Sequence, residues 1–104
     1  MTMTAQRILL VTGGGRGIGA ATARIAATQG YSVCVNYRRD RDAAEQVIAD
    51  VRKAGQKAIA VAADVAVEAD VLRLFETVDR ELGPLTALVN NAGILEKQGR
   101  LEDT

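Results

Sequence analysis

Residues 12–19 read Thr12-Gly13-Gly14-Gly15-Arg16-Gly17-Ile18-Gly19, between the apolar run Ile8–Val11 and the Ala-rich stretch that continues to Thr28. The run before it has the length and composition of a buried strand, and the stretch after it has helical character. Glycine suits three tasks in such a turn. Gly13 lets the chain leave the strand sharply. Gly17 leaves the backbone open to a phosphate, and Gly19 allows the helix to lie close to the sheet. Free N–H groups and the positive end of the helix then face one point, which favours an anion. A tight strand–helix connection with no ligand also uses glycines. The strand–turn–helix setting is what marks this one as a dinucleotide-type turn. A P-loop is excluded because no Lys-Ser/Thr pair follows the last glycine.

Working outward, three more apolar runs have strand character: Val33–Val35, Ala58–Ala62 and Leu85–Val89. None alternates cleanly with polar residues, which predicts burial on both faces, as in a parallel sheet. Helix-period segments lie between them. Ala21, Ile25 and Thr28 share a face of the first; Ala44, Val47, Ile48, Val51 and Ala54 form the stripe of the second. Asp40 is the expected N-cap of that second helix and Gly55 its stop. In the third, Val71, Leu74, Phe75, Val78 and Leu82 form the stripe, Glu68 and Asp70 suit the first turn, and Gly83-Pro84 ends it. Ala66, at the apparent start of this helix, is a poor cap. The order βαβαβαβ predicts an α/β fold with a parallel sheet and crossover helices. Glu96–Thr104 reads as a surface loop or tail.

Three further segments stand at expected strand ends. Asn36-Tyr37-Arg38-Arg39 closes the second strand. In a dinucleotide fold this place lies beside the adenosine ribose, where an acid accepts from a 2′-hydroxyl and an Arg accommodates a 2′-phosphate. No acid is present; Tyr37 and Arg38 stand there, with Arg16 reaching from the glycine turn. Arg39 reads as surface. Asp64-Val65 follows the third strand, where a carboxylate can take a hydrogen bond from an adenine amino group or serve as a turn residue. Asn90-Asn91-Ala92-Gly93 follows the fourth; paired amides at a strand end imply a hydrogen-bond network. In a parallel sheet all four ends share one edge, the edge where open α/β sheets bind ligands.

Composition removes other classes. Lys+Arg and Asp+Glu balance at 13 each, which gives no pull toward nucleic acid or an anionic membrane. With 48% apolar and 25% charged residues, the chain reads as globular. Two Tyr and one Phe offer no stacking platform for bases, and no His is present to act as base or metal ligand. Cys34 is the single cysteine and reads as a buried core residue. No metal site is expected. Neither a signal peptide nor a membrane-spanning stretch is legible, which makes a cytoplasmic protein the default.

Thr12, Gly13, Gly17 and Gly19 meet a Thr-Gly-x-x-x-Gly-x-Gly pattern, Asn90 to Gly93 an Asn-Asn-Ala-Gly pattern, and Asp64-Val65 the acid between them. From about Gln6 to Ile94 the chain resembles the short-chain dehydrogenase/reductases of the NADP-preferring type. The resemblance implies a three-layer Rossmann fold with strand order 3-2-1-4. Residues 1–104 would be one NAD(P)-binding domain, the N-terminal part of the family's fold. It implies that Gly13, Gly15, Gly17, the Ile18 amide and Gly19 hold a pyrophosphate. Arg16 and Arg38, beside Tyr37, would take the 2′-phosphate of NADP in preference to NAD. Asp64 and Val65 would hold adenine; Asn90, Ala92 and Gly93 would line the ribose and nicotinamide side, with Asn91 a brace between strands.

Family members are much longer, and their catalytic Ser and Tyr-x-x-x-Lys lie beyond the region matched here. There the tyrosine protonates a carbonyl oxygen, the lysine lowers its pKa and the nicotinamide supplies hydride. Tyr31 and Tyr37 lack a Lys at the fourth place, so no catalytic residue is named. The expected function is carbonyl reduction or alcohol oxidation on a small molecule, by a homo-oligomer when complete. The alternative is a non-catalytic NADP-binding sensor or interaction module; a downstream Ser and Tyr-x-x-x-Lys discriminates. A methyltransferase of similar fold would need a carboxylate where Arg38 stands. A chain of this extent is expected to be a fragment, or a half completed by another segment. Its fourth strand would then be an exposed edge and its third helix only a partial cover.

Overall fold

The computed structural model describes residues 6–15 and 17–91. The expectations placed on Arg16, Ala92 and Gly93 lie outside the described residues. The elements are β1 (Arg7–Thr12), α1 (Gly17–Thr28), β2 (Tyr31–Tyr37), α2 (Arg41–Lys53), β3 (Ala58–Ala62), α3 (Glu68–Glu81) and β4 (Ala87–Asn90). All strand pairs are parallel and the order is β3-β2-β1-β4, as expected.

The inner strands explain the unbroken apolar runs. Ile8–Thr12 of β1 and Ser32–Asn36 of β2 are buried without interruption, because helices cover both faces. Leu9, Val11, Val33 and Val35 pack with Ala20, Ala23 and Ala27 of α1 and with Val47, Ile48 and Val51 of α2. Ile8, Leu10 and Cys34 point to the other layer, against Leu74, Val78 and Leu82. Each such Val, Leu or Ile removed from water contributes about 1.5–3 kcal/mol before conformational entropy is subtracted.

The helix ends follow the expected chemistry at α2. The Asp40 carboxylate accepts from the Ala43 N–H at 3.0 Å, and the chain reverses at Gly55, where Gly55 N–H donates to Arg52 O and Gln56 N–H to Val51 O. Ala54 is the C-cap and exposed, rather than part of the stripe. The cap of α3 stands one residue beyond Ala66: Val67 is the N-cap and makes no side-chain cap bond. The first turn carries Glu68 and Asp70 as expected.

Several expected faces are corrected. The buried residues of α1 are Gly19, Ala20, Ala23 and Ala27, whereas Ala21, Ile25 and Thr28 are exposed, Ile25 at 63%. The helix runs close to the sheet, and the small side chains rather than the bulky one fit beneath it. Phe75 of α3 is 40% exposed. The opposite flank of this helix faces β3, where Arg73 donates to Ala62 O and Asp70 accepts from the Asp64 N–H. Phe75 and Leu72 therefore stand on the flank away from β3. β4 begins at Ala87 rather than Leu85. Leu85 packs against the α3 layer, and the Thr86 hydroxyl takes the Ile8 N–H at 2.9 Å in place of a strand carbonyl. β4 alternates, with Ala87 and Val89 toward the α1 layer and Leu88 half-exposed on the other face. Burial on both faces thus holds for β1 and β2 but not for the edge strands, β4 and β3, where Ala62 is exposed.

Two expectations follow. Ala23→Leu overpacks a fully buried site and should cost about 1–3 kcal/mol, whereas Ile25→Gln should stay within about 0.5 kcal/mol; urea denaturation reads both. Burial pushes the Cys34 thiol from an ordinary 9.0 up to about 12. Above pH 9 the unfolded chain loses this proton and the folded one keeps it, so stability is lost as pH rises from 9 toward 12. The stability of Cys34→Val relative to the unmutated protein should therefore improve between pH 8 and pH 10.

Candidate functional site

Parallel strands bring the carboxyl ends of β1, β2, β3 and β4 to one rim, with Thr12 beside Asn90 and Tyr37 beside Ala62. The glycine turn sits at its centre. Gly13 and Gly17 have φ of +64° and +58°, a region that favours glycine. A Cβ on Gly17 would meet nothing within 4 Å, so the backbone angle is what requires glycine there. A Cβ on Gly19 would lie 2.7 Å from both Gly13 O and Asn91 Nδ2. The expected close approach at Gly19 is thus real, and it is to the turn and the end of β4.

The Gly13 N–H donates to Asn36 Oδ1 at 3.3 Å and the Gly14 N–H to Asn36 O at 3.0 Å. These two amides point inward, which leaves the start of α1 to meet an anion. Ile18, in that first turn, is exposed.

A pocket of about 280 Å³ opens between the turn and the end of β2, lined by Gly13, Gly15, Tyr37, Arg38, Arg39 and Asp40. Two guanidinium-bearing residues line it. Asp40 caps α2 with its carboxylate, and the Arg38 Nε lies 3.7 Å from Asp64 Oδ2. Asp64 also holds its own turn, with Oδ1 accepting from the Ala66 N–H at 2.9 Å. Val65 packs on the α3 layer.

At the fourth strand end the Thr12 hydroxyl donates to Asn90 Oδ1 at 2.8 Å and accepts from the Asn91 N–H at 2.9 Å. Asn91 Nδ2 donates to Gly13 O at 3.4 Å. Asn90 thus ties the end of β4 to the end of β1, and the Asn91 side chain ties it to the turn.

Gly13, Gly15, Tyr37 and Arg38 thus share one pocket, and Asp64 reaches Arg38 from outside it. Gly17, Ile18, Gly19, Val65 and Asn90 stand elsewhere on the rim. Two residues were missed by sequence reasoning. Arg39, read as surface, is exposed as expected and also lines the pocket. Asn36, quoted without a role, is buried and bonded to the turn; the signal was a lone amide inside an apolar strand, which must find partners. Among the described residues no group of three or more His, Cys, Asp or Glu is arranged to hold a metal ion, and no helix is long and apolar enough to cross a membrane.

The short chain dehydrogenase family model matches residues 7–104, and the chain belongs to this family of oxidoreductases. It is 48% identical over 96 residues to the uncharacterized oxidoreductase YgfF of Escherichia coli (strain K12), covering 92% of this chain and 39% of that protein. Among solved structures, the short-chain dehydrogenase/reductase from Serratia marcescens BCRC 10948 is similar at 39% identity and a TM-score of 0.80, over 84% of this chain and 36% of that one. A putative dehydrogenase from Burkholderia cenocepacia with bound NADP is similar at 30% identity and a TM-score of 0.79, over 83% of this chain and 34% of that one. The chain therefore spans well under half the length of these relatives.

Gly→Ala inside a helix ordinarily gains about 0.5–1 kcal/mol. At Gly19 the sign should reverse, since the added carbon meets backbone at 2.7 Å; a net loss of about 1–3 kcal/mol is expected in urea denaturation of Gly19→Ala.

Proposed function

We propose that this chain forms the cofactor-binding part of an NADP(H)-dependent oxidoreductase that reduces carbonyl groups or oxidises alcohols of small molecules. The single observation that carries the NADP preference is the pocket at the end of β2, where Arg38 and Arg39 stand and Tyr37 occupies the place of a ribose-binding acid. The NADP-bound Burkholderia neighbour supports the same reading.

The residues present fit such a group. The turn Gly13–Gly19 and the Ile18 amide would hold the pyrophosphate, with Gly13 shaping the turn. Arg16 and Arg38, beside Tyr37, would take the 2′-phosphate, and Arg39 adds a second cation at the pocket wall. Asp64 and Val65 would hold adenine; Asn90, Ala92 and Gly93 would line the nicotinamide side. When bound, the nicotinamide supplies or accepts a hydride. This chain's own part is to bind and orient the dinucleotide. No described residue is assigned to proton transfer, and the substrate and homo-oligomer belong to the proposal for the whole protein.

Charge-assisted hydrogen bonds contribute about 1.5–3 kcal/mol each, so two of them give about a hundredfold preference or more. Fluorescence titration of the complete protein should therefore show NADPH binding far more tightly than NADH, and Arg38→Asp should narrow or invert the gap. Equal affinity for both cofactors in the unmutated protein would refute the role given to Arg38.

A further inference from the structure

Asn36 is 2% exposed, and its carboxamide ties two separate chain segments to β2. Oδ1 accepts from the Gly13 N–H at 3.3 Å, in the turn after β1. Nδ2 donates to Val61 O at 3.2 Å and to Ala63 O at 3.1 Å, at the end of β3. The Asn36 main-chain oxygen accepts from the Gly14 N–H. The partners dictate the side chain: one N–H needs an acceptor and two carbonyls need donors, which a carboxamide alone supplies at this size. Aspartate would set a carboxylate against the two carbonyl oxygens, and alanine would reach none of the partners.

We propose that Asn36 is a positioning residue. Its carboxamide fixes the glycine turn against the ends of β2 and β3. The helix start that meets the pyrophosphate and the cationic pocket at Arg38 are then held in one fixed relation. This inference rests on the cofactor reading above. The two differ in what they predict: Arg38 discriminates between NADPH and NADH, whereas Asn36 serves both.

The test titrates the protein and its Asn36→Asp and Asn36→Ala variants with NADPH, NADH and 2′-AMP, the last carrying a 2′-phosphate and no pyrophosphate. Both dinucleotides should weaken by about tenfold in the variants, with their ratio held within about twofold, because shared geometry is lost rather than a 2′-phosphate contact. Binding of 2′-AMP should weaken by clearly less than that of the dinucleotides, because it touches the pocket wall at Gly13 and Gly15 but makes no contact with the helix start. Unchanged dinucleotide affinity overturns the proposal. So does a parallel loss of 2′-AMP, which would make Asn36 a support of the fold only. Alanine introduces no charge and serves where the aspartate variant does not fold. Hydrogen exchange on the unmutated protein gives an independent reading: the Gly13 amide should exchange slowly before any cofactor is added, and fast exchange counts against the bond. An unmutated protein that binds neither dinucleotide overturns the cofactor reading and this proposal together; a loss of the Asn36 effect alone leaves the cofactor reading standing.

Discussion

The turn after β1, the start of α1 and the end of β4 meet so closely that residue 19 has no room for one further carbon atom. This crowding has consequences in both directions. Toward the interior, it allows Asn91 to reach Gly13 O and the Thr12 hydroxyl to bridge Asn90 and Asn91. Toward solvent, it brings the first turn of α1 to the rim on which all four strands end. The Ala20–Ala23–Ala27 face continues the same logic along the helix, since only small side chains let the axis stay near the sheet. A bulkier α1 would stand away from the sheet, and the rim would lose its centre.

Electrostatics on the rim are arranged loosely, and magnitudes show why that matters. The Arg38–Asp64 pair spans 3.7 Å with Arg38 largely exposed, so its net contribution is about 0–1 kcal/mol. A phosphate offers the same guanidinium shorter, charge-assisted bonds of roughly twice the strength of neutral ones. The pair is therefore a resting place for Arg38 and no obstacle to an anion. The Asp40 carboxylate is held by the cap of α2, which keeps the acid on the pocket wall occupied by a structural task.

Much of this arrangement was legible from residues alone. The strand runs, the parallel order and the four unusual strand ends stand out because glycine, paired Asn and charged residues interrupt apolar runs at places where the chain must turn. β3 matches its expected span residue for residue. Other features were hidden for physical reasons. Ile25 is the one bulky apolar residue of α1 beyond its first turn and drew the expected face toward itself, but tight approach selects small side chains. Phe75 fits the period of its helix, and only the side chain bonds of Asp70 and Arg73 reveal which flank the sheet fills. Thr86 imitates a strand carbonyl with its hydroxyl, a substitution that no periodicity records. Asn36 looked like part of a strand; its importance appears only when the turn and the end of β3 are folded around it.

The sulfur of Cys34 lies under α3 in the middle of the sheet, with β1 and β3 as the flanking strands of its own β2. It is fully enclosed, and burial holds the thiol in its protonated, unreactive form. Alkylating reagents can reach it only through openings that uncover this layer. The chain thus carries an intrinsic clock: the rate at which this one atom becomes labelled reports how often the middle of the sheet comes apart, with no foreign probe attached.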